Sequence, residues 1–342
     1  MRFINPLEQK NWNETLLDSG VNSFFYTQAW ARVLSETYGY RPNYLIETEH
    51  NKFQTLIPLM EVKSLLTGKR AASLPFTDVC SAHFSEPAYS VEALHLLRET
   101  GAQRGWKYVE FRDAESVLRK PSGGKYYLHQ LDLSSSAEKL FAAFRNNMRR
   151  NIRKAEKLDL AIDSGDSVEM VEQYFKMHCL TRKKHGVPPQ SIAFFRNIHT
   201  HIIKPGLGFV TIAYHKNEPV AGAVFFHFAD RAIYKFAASN PAFSHLKANN
   251  LLIWQAIRQL QNLDMKSLNF GRTDVSNKGL RHFKLGWGAE ESVIGYYREN
   301  LLSKPQAATT KQSGENVFTK IFRGLPIPAL KVVGRLAYPH MG

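Results

Sequence analysis

A chain of 342 residues with 44% hydrophobic and 12% aromatic side chains has enough apolar material for a sizeable core divided between two domains, which excludes an intrinsically disordered protein. Lys and Arg total 45 against 30 Asp and Glu, and the resulting +15 favours anionic partners such as nucleic acid, nucleotide cofactors or acidic membrane surfaces. Two widely separated cysteines, Cys80 and Cys179, exclude a disulfide framework and a structural zinc site. "MRFINPLEQKNWNE" lacks the apolar core of a signal peptide and no apolar run is long enough to cross a bilayer, so the expectation is a cytoplasmic protein without a resident metal.

In chain order, "TQAWARVLSETYG" has a helical period, "NYLIETE" and "FQTLIPLMEVKS" read as strands, "VEALHLLRETGAQRG" as a helix, and "KYVEFR" and "YYLHQLDL" as strands. A second half begins after residue 134. Ser135 and Glu138 have the spacing of a capping box, and Leu140, Phe141, Phe144, Met148, Ile152 and Ala155 keep one helical face. Arg145, Arg149 and Arg153 form a cationic stripe on that helix beside Arg150, Lys154 and Lys157, either to track a phosphate backbone or as a solvated face.

Helices follow at "SVEMVEQYFKMHCLTRKK" and "SIAFFRNIHTHII", then a meander "FVTIAY", "PVAGAVFFHF", "AIYKFAAS" with hairpin-length joints. Arg182, Lys183 and Lys184 at the end of the first of these helices either hold an anion or complement the helix dipole. The helix "ANNLLIWQAIRQLQNL" returns the chain to a short strand "SLNF", and "ESVIGYYRE" is the last strand. A sheet that changes from antiparallel to parallel at that return has a place for its strands to splay. Beside it lies "NFGRTDVSNKGLRHFKLGWGAEE".

In that stretch Gly271 follows an apolar strand, where freedom to take positive φ permits a sharp turn. Arg272 and Asp274 at the strand's exit either reach a cleft or pair with each other. "NKGLRHFK" predicts a short helix capped by Ser276 or Asn277, with Leu280, Phe283 and Lys284 on one face. Lys284 is then either a stabiliser of a developing oxyanion or a solvated lysine lying over Phe283 and Trp287. For proton removal from an amine the candidates are Asp274 and Asp78 of "LPFTDVC". GxxxxGK[ST], HExxH, GxSxG and GxGxxG are all missing, which removes support for phosphoryl transfer, zinc proteolysis, serine hydrolysis and dinucleotide redox chemistry.

The order of elements, with "FYTQAWARVLSETYGYRPNYLI", "LPFTDVC", "RNIRKAEK", "TRKKHGVPPQS", "ANNLLIWQAI" and "FGRTDVSNKGLRHFKLGWGAE", resembles the Fem-like transferases of the GNAT acyltransferase superfamily from about Phe24 to about Glu299. The resemblance implies an α/β (α+β) protein of two tandem GNAT-like domains, 1–134 and 135–300, each a mixed sheet flanked by helices, followed by a polar linker and basic tail over 301–342. It implies N-acyl or aminoacyl transfer to an amine of a cell-envelope precursor, a peptidoglycan peptide or a polysaccharide amino sugar. Lys284, Asp274 and Asp78 are its catalytic candidates, and Gly271, Arg272, Phe283, His282, Trp287, Arg182, Asn249 and Asn250 its substrate-binding candidates. The donor stays open between acyl-CoA and aminoacyl-tRNA: "NPAFSHLKANNLL" has no glycine where GNAT enzymes cradle pyrophosphate, and the helical hairpin that some Fem proteins insert for tRNA is missing. An acyl-CoA enzyme acting on a small amine and a non-catalytic RNA or membrane binder are the alternatives. DNA is not expected as a partner. The tail "VFTKIFRGLPIPALKVVGRLAYPHMG" either lies on an anionic membrane at its cytoplasmic face or packs back on the protein.

Overall fold

Proline and glycine placement sets most element boundaries in the computed structural model, which describes residues 1–121, 123–301 and 317–342. The linker expected at 301–316 lies, apart from Leu301, outside the described residues. The chain forms two compact units. The first comprises Met1–Tyr127 with the described parts of Val293–Gln312 and Ala337–Gly342; the second comprises Leu128–Ser292 with the described part of Ser313–Leu336.

In the first unit Thr27 caps the helix Gln28–Tyr38, and Gly39 ends it at φ 70°. The expected strand "FQTLIPLMEVKS" is two strands, Lys52–Ile57 and Met60–Ser64, broken at Pro58, whose missing N–H cannot continue a ladder. Four strands form an antiparallel sheet in the order Arg2–Ile4, Tyr44–Glu49, Lys52–Ile57, His83–Phe84. A five-stranded sheet takes Arg41–Pro42, Met60–Ser64, Gly68–Ala72, Tyr108–Phe111 and Tyr297–Asn300, its one parallel pair being Gly68–Ala72 with Tyr108–Phe111. The helix Ala88–Arg104 packs Ala93, Leu94 and Leu97 with Trp106, Val109 and Phe111 in this unit's core.

The second unit is built on seven strands: β1 (Lys125–Asp132), β2 (Leu160–Gly165), β3 (Gly208–His215), β4 (Glu218–Phe228), β5 (Arg231–Ser239), β6 (Ser267–Asp274) and β7 (Glu290–Gly295). Their order is β2-β3-β4-β5-β6-β1-β7. The strand "YYLHQLDL", expected in the first domain, thus sits between β6 and β7, and the chain changes unit within β1 and again within β7. The expected last strand is likewise split, β7 in this sheet and Tyr297–Asn300 in the first unit.

The helix expected from the capping box is two helices, α1 (Ala137–Ala143) and α2 (Asn146–Glu156), separated by Phe144 and Arg145 in extended geometry. Ser136, not Ser135, caps α1 by accepting from Lys139 N at 3.4 Å. The remaining helices are α3 (Val168–Lys184), α4 (Ile192–Ile198), α5 (Ala248–Asn262), α6 (Lys278–Leu285), α7 (Val317–Gly324) and α8 (Ile327–Ala337). The meander forms as its hairpin-length joints predict: β3 and β4 are joined through Lys216 and Asn217, both at positive φ, as a two-residue hairpin requires. α5 then carries the chain to β6, which pairs parallel with β5 from Arg231↔Ser267 to Ile233↔Asn269. Beyond that point the ladder ends while β6 continues to Asp274, so the sheet opens beside the glycine-rich stretch. Phe144, Trp254, Phe270 and Trp287 pack beneath it in one cluster with Leu251, Ile253 and Ile257.

Candidate active site around Lys284

β6 is longer than expected, so Gly271 lies within the strand rather than after it. Its φ is 72°, and its N–H donates to Asn269 Oδ1 at 2.7 Å, a local turn that only glycine takes without cost. Four residues after the strand, α6 begins with Asn277 as the predicted cap, accepting from Leu280 N at 3.0 Å. About two turns later Lys284 points inward, 4% exposed, and its Nζ donates to the carbonyl oxygens of Gly271 at 2.8 Å and Arg272 at 3.0 Å. The solvated lysine is therefore excluded, and so is the shared apolar face, because Leu280 is exposed while Lys284 is buried.

Around Lys284 stands a network that the sequence reading passed over. Arg281, one turn earlier, grips Glu291 with two parallel bonds, Nε to Oε2 and Nη2 to Oε1, both 2.7 Å. Glu291 Oε2 also meets His129 Nε2 at 3.0 Å. The Arg281 hydrogen bonds hold the Glu291 carboxyl below its usual range, with His129 adding to them. Burial pushes the His129 imidazole below its ordinary value, the Lys284 cation pushes the same way, and Glu291 partly offsets both. Strand β1 places this histidine on the same face as Leu131 and Leu133, all three buried. That alternation was visible in "YYLHQLDL"; Glu291 was the last residue of the stretch already singled out.

The other expected residues divide clearly. His282 is exposed, with Nδ1 at 3.3 Å from Arg145 Nη1, while Arg145 N donates to Gly286 O and ties α6 to the α1–α2 joint. Phe283 is half-buried against Trp287 at 6.1 Å in an edge contact. Trp287 is fully buried in the core with no acceptor at Nε1 among the described residues, and Asn250 is buried with its amide 2.9 Å from Met148 Sδ, so both shape the floor rather than an open surface. Asn249 beside it is half-buried. Asp274 Oδ1 accepts from the N and Oγ of Ser276 at 2.9 and 2.6 Å and closes the turn into α6. Arg272, preceding Thr273, is half-buried, and its carbonyl is one of the two that hold Lys284. Arg182 Nε donates to Pro188 O at 3.3 Å and closes the loop after α3.

Asp78 belongs to the first unit. Its loop carries Leu74 and Phe76 at positive φ, strained for such side chains, and is held by Arg112 Nη1 on Thr77 O and Tyr296 OH on Asp78 O, each 2.8 Å. On α2 the cationic residues Arg149, Arg150, Arg153, Lys154 and Lys157 line an open groove of about 640 Å³, opposite the buried Met148, Ile152 and Ala155. Ahead of α5, "NPAFSHL" forms a 3₁₀ turn with Leu246 buried and Lys247 in left-handed geometry, without the glycine approach expected for a pyrophosphate. Among the described residues no group of His, Cys, Asp and Glu is placed to hold a metal ion.

Residues 142–291 match the acetyltransferase (GNAT) domain family. FemX superposes with a TM-score of 0.71 over 88% of this chain and 98% of its own, at 13% identity. The C-terminal domain of a putative lysylphosphatidylglycerol synthetase from Agrobacterium fabrum gives 0.56 over 85% and 92%, at 12% identity. A tandem GNAT protein from the clavulanic acid biosynthesis pathway gives 0.50 over 78% and 85%, at 9% identity. Among curated sequences nothing matches. The chain is therefore a mixed α/β protein with a Fem-like fold, and its residues 142–291 are similar to the acetyltransferase (GNAT) domain family.

Proposed function

We propose that this chain is an N-acyltransferase that moves an acyl or aminoacyl group onto an amine of a cell-envelope precursor, with Lys284 as the group that stabilises the oxyanion. The observation that carries the proposal is the fixing of Lys284 Nζ by two carbonyls of β6 where the sheet opens. When an amine attacks an acyl carbonyl, negative charge gathers on the carbonyl oxygen, and a preorganised cation or amide there contributes about 3 kcal/mol. Lys284 serves that need by its own charge and by polarising the peptide units whose carbonyls it binds, which strengthens the N–H groups of Arg272 and Thr273 as donors. Arg281, Glu291 and His129 hold α6 and β1 together around it. Within this unit Asp274 is the candidate for accepting the amine proton, with one of its oxygens already spent on the turn.

The envelope reading rests on the likeness to FemX and to the C-terminal domain of the putative lysylphosphatidylglycerol synthetase. For the donor, the cationic groove on α2 and the glycine-free turn before α5 favour aminoacyl-tRNA over acyl-CoA seated in the ordinary way. The GNAT match keeps the thioester donor as the second reading. The test incubates the purified chain with an amine-bearing envelope precursor and either charged tRNA or acyl-CoA, and weighs the acceptor by mass spectrometry. A mass gain with charged tRNA is the expected result; a gain only with the thioester selects the second reading, and none with either overturns the assignment.

A further inference from the structure

α7 and α8 are attached to the second unit at definite points. Arg323 Nε donates to Lys184 O at 3.2 Å, and Gly186 stands so close to α7 that a Cβ there would lie 2.3 Å from Thr319 O. On α8, Leu330 is fully buried, Gly334 meets Pro189 so closely that a Cβ would lie 1.9 Å from its carbonyl oxygen, and Lys331 Nζ sits 5.2 Å from the Phe175 ring centre. The chain beyond is held too: Tyr338 is buried beside Tyr38 and Phe76, and Arg70 Nη2 donates to His340 O at 3.0 Å. The segment therefore packs back on the protein along its described length.

Packing uses only one side of these helices. No residue of α7 is buried, and Val317, Phe318 and Ile321 stand exposed at i, i+1 and i+4, Phe318 to 64%. On α8, Val332 and Leu336 are exposed one turn apart, Leu336 to 63%. Lys320, Arg323, Lys331 and Arg335 are exposed among them, and residues 317–342 contain no Asp or Glu. The carbonyl to which α7 is tied belongs to Lys184, the end of the Arg182–Lys184 basic run.

We infer that α7 and α8 form a fixed plate that lies on an anionic phospholipid surface, with Phe318, Ile321 and Leu336 entering the headgroup boundary and the four cations pairing with lipid phosphates. Charge complementarity selects this occupant. A second copy placing the same face against itself would bring like charges together with no carboxylate from either segment between them, and an RNA backbone gives the apolar residues nothing to enter. An interfacial helix binds through buried apolar area plus the attraction of its basic residues to anionic lipid. Because both helices are docked rather than tethered, lipid binding would also set the orientation of the second unit.

The test sediments the full chain with phosphatidylglycerol vesicles and with phosphatidylcholine vesicles, and repeats both for Phe318→Asp/Ile321→Asp and for Lys320→Glu/Arg335→Glu, with thermal melts to confirm folding. Wild type should bind the anionic vesicles at least about tenfold better than the zwitterionic ones, and each double variant should lose about tenfold or more. Equal binding to both vesicles, or unchanged binding of the folded variants, overturns the inference. A wild-type dimer in light scattering that either variant abolishes would overturn it in favour of a second copy. Transfer to a water-soluble acceptor should be the same in all three proteins, so a failure here is separable from a failure of the transferase reading.

Discussion

Two helices of the second unit, α6 and α2, treat their cations in opposite ways. α6 turns Lys284 into the protein onto the carbonyls of Gly271 and Arg272 and locks Arg281 on Glu291. α2 leaves Arg150, Arg153, Lys154 and Lys157 exposed along a groove, with Met148 and Ile152 as its buried side. A cation that has exchanged water for fixed dipoles is ready to stabilise charge without reorganisation, whereas one that keeps its water contributes mainly long-range attraction that salt screens. The proposed transferase function assigns chemistry to the first helix and donor capture to the second. The sharpest way to break it is Lys284→Ala against Lys278→Ala, an exposed lysine on the same helix. Turnover should fall by roughly 10²–10³-fold in the first and stay within about twofold in the second. Equal turnover of the two variants in a steady-state assay would erase the distinction.

The next effect is on stability. Glu291→Gln keeps the shape but removes the carboxylate charge and leaves one acceptor where Arg281 has two, because the amide NH2 cannot accept, and it alters the pairing with His129. A hydrogen bond to a charged group is worth about 1.5–3 kcal/mol, so urea unfolding should show a loss of roughly 2 kcal/mol. A loss below about half a kilocalorie would mean that the network is only surface pairing. On α2 the expectation concerns binding alone. Arg149→Glu/Arg153→Glu should weaken tRNA association and reduce the slope of log K against log salt by about 2, with the melting temperature little changed. An unaltered slope would remove the groove from the donor site.

The sequence made the second unit's order of elements legible because its signals are local: short apolar runs in β3 to β5, the hairpin at Lys216 and Asn217, the helical period of α5, and the Asn277 cap. It misplaced β1 and divided the last strand wrongly, since which sheet a strand joins depends on partners more than a hundred residues away. For the site, the stretch from Asn269 to Glu291 was recognised, and Lys284 within it. Its burial was not, because helical spacing alone put Lys284 on one face with Leu280, and only the extension of β6 through Gly271 brings two carbonyls beneath α6. His129 was missed for the same reason: a histidine on the inner face of a strand looks like core until its partner arrives from residue 291.

That partner gives the smallest and most specific prediction. Burial and the Lys284 cation keep the folded His129 below its ordinary value of 6.5, so as pH falls through 6.5 the unfolded chain takes up a proton that the folded chain refuses. Folding stability must therefore decrease on acidification from that point, down to the folded-state value. Below 4.5 the Glu291 carboxyl, held low chiefly by Arg281, continues the loss in the same direction. His178, His185 and His227 are lowered by burial as well and add slope of the same sign, so the total curve does not isolate the site. His129→Gln does, because glutamine can still donate to Glu291 but cannot titrate. Stability measured by urea unfolding should lose up to about 1.36 kcal/mol less per pH unit in this variant than in wild type just below 6.5. Identical slopes would mean that His129 is protonated alike in both states, and that Lys284 and burial exert no net hold on it.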